Sequence, residues 1–113
     1  MFRHAFNRHR CIIPASGYYG WISTRNGKQQ PCFISAPDGA VLSFAGLWDR
    51  WKNPETGASV LSCTIIVTDA NALTRPIHDR MPVVLDNANI GRWLSGAAGT
   101  ELLRPAPENR LRM

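Results

Sequence analysis

The chain has 113 residues, a formal net charge of +5 and 44% hydrophobic residues, a length that supports one core and no more than one domain. No apolar run approaches the ~20 residues that cross a bilayer, and the opening MFRHAFNRHR lacks the apolar block of a secretory signal; a membrane partner is therefore not expected and a cytoplasmic location is. Charge is unevenly placed: Arg3, Arg8, Arg10, Arg25 and Lys28 precede any acidic residue, whereas from Asp38 onward eight basic residues balance eight acidic ones, so the positive excess lies in the first third, as suits a phosphate-bearing partner or, equally, a solvated basic arm with none.

In chain order, the first apolar run is Cys11–Ile22, CIIPASGYYGWI, which reads as strand but carries Gly20 between Tyr19 and Trp21, where glycine costs backbone entropy and offers no side chain to pack. The polar turn Arg25-Asn-Gly-Lys, the run PCFISA and a Pro37-Asp-Gly39 turn of the hairpin-joining kind follow. Next come VLSFAGLWDRW, the turn Asn53-Pro-Glu-Thr-Gly57 and the β-branched SVLSCTIIVTD; the four runs predict a largely antiparallel meander. Helix is expected in ANALTR, capped by Asp69, and in Asn87–Leu94, where Ile90, Trp93 and Leu94 share a face. The tail RPAPENRLRM, residues 104–113, is polar and proline-broken and is expected to be poorly ordered.

Cys11, Cys32 and Cys63 sit in apolar runs without the paired CxxC spacing of a zinc site, and are read as buried small hydrophobes; neither metal nor cofactor is expected. Trp21, Trp48 and Trp51 are candidate base-stacking platforms, with a place in the core the stronger reading. One segment departs from a plain β-rich domain. Pro76-Ile-His-Asp-Arg-Met-Pro82 sets a histidine, an acid and an arginine between two prolines. In an extended chain His78 and Arg80 point to one side and Asp79 to the other, and a histidine beside an arginine can move protons near neutral pH while the cation holds an anion. From these residues alone, a loop histidine bonded to a carbonyl is the simpler account.

The blocks RCIIPASGYYGW, FAGLWDRW, SCTIIVTDAN and IHDRMPVVL, in that order and spacing over residues 8–95, resemble the signature blocks of the SRAP family, the SOS response-associated peptidases. The resemblance implies an α+β fold with a mostly antiparallel, curved, barrel-like sheet and a few short helices, here with residues 1–95 as the central part of the domain and 96–113 as a tail or truncated continuation. It also implies recognition of abasic sites in single-stranded DNA within the DNA-damage response, nucleoid association on damage, and a thiazolidine crosslink through an N-terminal cysteine whose amine and thiolate both react. By the same resemblance His78 is the catalytic proton carrier, Arg80 and, less closely aligned, Thr68 touch the DNA backbone, and Gly20 stands in GYYGW where the family carries a catalytic glutamate in GFYEW. With Phe2 in place of the family's cysteine and Gly20 in place of its glutamate, crosslinking is expected to be lost. Arg3, Arg8 and Arg10 are expected on phosphates. A noncovalent single-stranded DNA binder and an inactive structural remnant are the alternative readings, and unpaired sheet edges are expected to drive self-association.

Overall fold

The computed structural model describes residues 3–113, with side chains described from Phe6 onward; the phosphate contact expected of the Arg3 side chain lies outside the described residues. A short helix, α1 (Arg3–Arg8), leads into β1 (Arg10–Ala15), β2 (Tyr18–Ser23), β3 (Gln29–Ile34), β4 (Leu42–Lys52), β5 (Ser59–Ile65), β6 (Val67–Asp69), β7 (Arg80–Pro82) and β8 (Val84–Leu85), followed by α2 (Asn87–Ser95) and two 3-10 turns at Thr100–Leu102 and Glu108–Arg110.

The long strand β4 organises the molecule. Along one edge it pairs antiparallel with β1, with Cys11 opposite Gly46, and its other edge takes β5, with Cys63 opposite Trp48, and β8, with Val84 opposite Phe44. Because side chains alternate along a strand, Leu42 and Phe44 enter one core with Ile34, Ala36, Met81, Ala106 and Leu111, while Ala45 and Leu47 enter a second with Val83, Leu85 and Trp93. Both faces of the first half of β4 are thus buried, as its nearly unbroken apolar sequence requires.

The α+β class with antiparallel strands is as expected, but the strands do not close into a barrel or run as a simple meander. They form the β4-centred sheet, a β2–β3 hairpin and a β6–β7 pair. The division begins inside CIIPASGYYGWI, where the chain leaves strand geometry at Ser16–Gly17. A β-carbon on Gly17 would come within 2.9 Å of Phe33 Cε1 and still closer to the Ile34 carbonyl, so the bare backbone lets β2 start against β3 instead of continuing β1. The Pro37-Asp-Gly39 turn forms, with the Ala40 N–H donating to Asp38 Oδ1 at 3.0 Å, yet β3 and β4, which it joins, are not paired.

The helix expected in ANALTR is replaced by a run of turns. Asn71 Oδ1 accepts from the Thr74 N–H at 3.0 Å and its Nδ2 donates to the Ala106 carbonyl at 2.8 Å; Pro76 then removes the donor that a second helical turn would need. The expected disorder of residues 104–113 also gives way to structure: Ala106 and Leu111 are buried, and Ser35 and Arg112 exchange two backbone hydrogen bonds of 3.0 and 2.7 Å. A few apolar residues in a polar segment suffice when they land in a core that lacks its last wall. Among the cysteines, Cys11 and Cys32 are half-buried and Cys63 is exposed, so only partial burial replaces the interior placement expected. No helix among the described residues is long and apolar enough to cross a membrane.

Candidate functional site

The β6–β7 pair carries the segment singled out in the sequence. Its register sets Thr68 opposite Met81 and Asp69 opposite Arg80, and buried Met81 and Val83 anchor the strand that follows His78. His78 itself stands on the loop just before β7, its side chain 69% exposed. Two groups converge on its Nδ1: the Arg80 backbone N–H donates to it at 3.0 Å, and Asp79 Oδ1 lies 3.1 Å away. The chain bends at Asp79, so the carboxylate reaches the imidazole, whereas an extended chain would have turned it to the opposite side.

This arrangement serves both protonation states. A neutral imidazole with its proton on Nε2 accepts from Arg80, and an imidazolium donates from Nδ1 to Asp79. Nδ1 thus has a donor and an acceptor within hydrogen-bond distance, on a side chain open to solvent.

Gly20 lies on the inward face of β2, between Tyr18 and Ile22. A β-carbon there would overlap Ile77 Cγ2 and sit 3.5 Å from Ile77 Cβ and 3.7 Å from Ile34 Cδ1. The fold thus brings Gly20 against the residue preceding His78, uniting two positions 58 apart in the chain. Ile77 and Asp79 were not singled out as site residues in the sequence; the alternation of β2 and the bend at Asp79 are the features that involve them.

The other candidates separate. Thr68 Oγ1 donates to the Leu103 carbonyl at 3.3 Å, so its hydroxyl serves the C-terminal segment. Arg80 and Arg8 are exposed. Arg10 is engaged inside the fold: its Nε donates to Phe6 O at 2.8 Å, and its Nη1 to Trp93 O at 3.2 Å and to Ala98 O. Its guanidinium carbon also lies 4.6 Å and 4.4 Å from the Phe6 and Trp93 ring centres, leaving it as a clamp between β1 and the end of α2 rather than the phosphate contact expected of it.

Among the tryptophans the core reading fails for two. Trp21 is 55% exposed and Trp51 is exposed as well, while Trp48 is half-buried and stacks on His9 with ring centres 4.0 Å apart. Tyr19, exposed on the outward face of β2 with Trp21, lies 5.0 Å from the exposed Phe33 ring; the alternation Tyr19-Gly20-Trp21 was the signal for this aromatic face. A cleft of about 810 Å³ elsewhere, between α2 and the C-terminal segment, is lined by residues such as Asp38, Asp86, Arg92, Arg104 and Arg110 and does not include His78, Gly20 or Arg80.

Comparison with known proteins bears on what this arrangement is. The model of the SOS response associated peptidase (SRAP) family matches residues 1–113. The chain is 40% identical over 94 residues to the abasic site processing protein YoqW of Bacillus subtilis, an alignment covering 83% of this chain and 42% of that protein. It is 32% identical over 107 residues to the abasic site processing protein HMCES of Xenopus tropicalis, covering 79% and 32%. A crystal structure of a Bacteroides thetaiotaomicron protein superposes with a TM-score of 0.91 at 31% identity, covering 98% of this chain and 50% of that one. The chain spans less than half the length of these curated relatives. By the match over its whole length and by the shared fold, the chain belongs to the SOS response associated peptidase family.

Proposed function

We propose that this chain recognises abasic sites in single-stranded DNA without forming a stable covalent crosslink, as part of an intracellular, nucleoid-directed response to DNA damage of the SOS type. The observation that carries the reading is the exposed His78, whose Nδ1 has a donor in Arg80 and an acceptor in Asp79. At an abasic site the sugar interconverts between a closed hemiacetal and an open aldehyde. Opening requires loss of the proton on the anomeric hydroxyl and its delivery to the ring oxygen, a transfer suited to such a histidine. Relatives named for abasic site processing support the substrate class. Gly20 supports the loss of crosslinking, because position 20, which packs against Ile77, supplies no carboxylate where the family carries its glutamate. Exposed Arg80 and Arg8 supply phosphate contacts, and the Tyr19, Trp21 and Phe33 face offers rings on which bases stack.

Self-association belongs to the same reading. All seven residues of β5 are exposed, its only strand partner among the described residues is β4, and Ser59–Ile65 carries no charge. Two β5 edges of separate copies can therefore pair antiparallel without opposing like charges on a chain of net charge +5.

The functional test compares binding to an abasic and an intact single-stranded oligonucleotide over a range of salt. Abasic DNA should bind more tightly, with log affinity falling by roughly 0.7 per phosphate contact for each unit of log salt, and Arg80→Ala should remove about one contact from that slope. Boiling in detergent should leave no adduct. Equal affinity for the two oligonucleotides refutes the recognition claim, and a surviving adduct refutes the loss of crosslinking.

A further inference from the structure

We infer that Ile77 is the positioning residue of this site: its Cγ2 methyl, seated on the bare backbone of Gly20, sets the loop that presents His78. The inference rests on the reading of His78 as the site's proton carrier. Gly20 faces inward on β2, and the space a side chain would take is filled by Ile77 Cγ2. That methyl is not the end of a pliant side chain. It branches from Cβ, itself 3.5 Å from the would-be β-carbon, and a β-branched residue has little freedom at χ1. A side chain at position 20 must therefore move the Ile77 backbone.

The backbone at Ile77 is tied on its other side. The Ile77 and His78 N–H groups both donate to the Thr74 carbonyl, at 2.9 and 3.2 Å. Thr74 is buried, and its N–H and hydroxyl both bond Asn71 Oδ1, at 3.0 and 3.2 Å. Asn71 in turn holds the Ala106 carbonyl at 2.8 Å. The loop is thus a braced block whose Ile77 side chain rests on β2, and displacement at Ile77 passes directly to His78. Residues 20 and 77 form a coupled pair: a side chain at position 20 displaces Ile77 and with it the His78 loop, and shortening residue 77 relieves that displacement.

The test uses Gly20→Ala, Ile77→Ala, their combination and Ile77→Val, read by thermal unfolding and by hydrogen exchange at the Ile77 and His78 amides. Gly20→Ala should lower the unfolding midpoint by about 5 °C or more and speed exchange at both amides at least ~10-fold. In the Ile77→Ala background the same step should have less than half of each effect. Ile77→Val keeps Cγ2 and should leave exchange at these amides within about twofold of wild type. Should Gly20→Ala not fold alone, folding of the combined variant supports the coupling and its failure to fold overturns it. Equal effects of Gly20→Ala in both backgrounds, or unchanged exchange at Ile77 and His78, also overturn it. None of these measurements uses DNA, so a wild-type chain that ignores abasic DNA would refute the proposed function and leave the Gly20–Ile77 coupling standing.

Discussion

Tyr18 buries its hydroxyl with no hydrogen-bond partner among the described residues, its ring edge-on to Phe44 with centres 5.9 Å apart, and burial pushes its pKa up to about 12. A phenol whose folded-state pKa lies above its ordinary value of 10.0 adds stability that is fully present below pH ~10 and lost as pH rises towards ~12, because the unfolded chain gives up the proton first. Tyr18→Phe should therefore weaken the fold little or strengthen it by up to about 1 kcal/mol near neutral pH, since a buried hydroxyl without a partner carries a desolvation cost. It should also lose less stability than wild type between pH 9 and 11. Urea unfolding at the two pH values measures both effects. Arg10 presents the opposite case, a cation with every interaction supplied by its own fold. Arg10→Lys keeps the charge but not the planar fork, and should cost about 1.5–3 kcal/mol in urea unfolding.

Between elements, two segments that look alike in sequence part ways. Asp69-Ala-Asn-Ala-Leu-Thr and Asp86-Asn-Ala-Asn-Ile-Gly each offer an aspartate before a stretch able to form helix, but only the second becomes one. Asp86 Oδ1 accepts from the Asn89 N–H at 3.1 Å, Gly96 closes the helix in the left-handed conformation, and no proline interrupts the nine residues of α2. Trp93 then fills the second core and donates from Nε1 to the Cys11 carbonyl at 3.0 Å, while Leu94, expected on the same face, turns to solvent. Asp86→Ala should lower stability by about 1 kcal/mol, visible as reduced helical circular dichroism at a urea concentration near the transition. In ANALTR, the stop at Pro76 and the side-chain bonds of Asn71 yield the turns that brace His78.

For the molecule as a whole, the apolar surface is concentrated where strands lack neighbours. Leu61 is 64% exposed on β5, with Val60 and Ile65 exposed beside it and Trp51 across the β4–β5 turn. Such an edge is a template for another strand. Sedimentation velocity across micromolar concentrations should show reversible association of wild type, and Leu61→Lys should shift the chain towards monomer at unchanged helix and sheet content. A wild-type monomer throughout that range refutes the pairing.

Much was legible in the linear chain because it depends on neighbours a few residues apart: the strand runs, the α2 helix, the Asn53–Gly57 turn joining β4 to β5 and the IHDRMP block that marks the family. The bend at Asp79 that brings its carboxylate to His78 Nδ1 is short-range too, yet it escapes a reading that assumes an extended chain. Long-range contacts decided the rest. Whether Arg10 meets phosphate or a helix end depends on Phe6, Trp93 and Ala98. Whether residues 104–113 order depends on a core left open beside Ile34 and Met81 for Ala106 and Leu111. The meaning of Gly20 shows the division most clearly. Resemblance marks the absent acid, but only the packing of β2 against the His78 loop places Ile77 in its space, because close packing joins residues whose separation along the chain carries no trace of their contact.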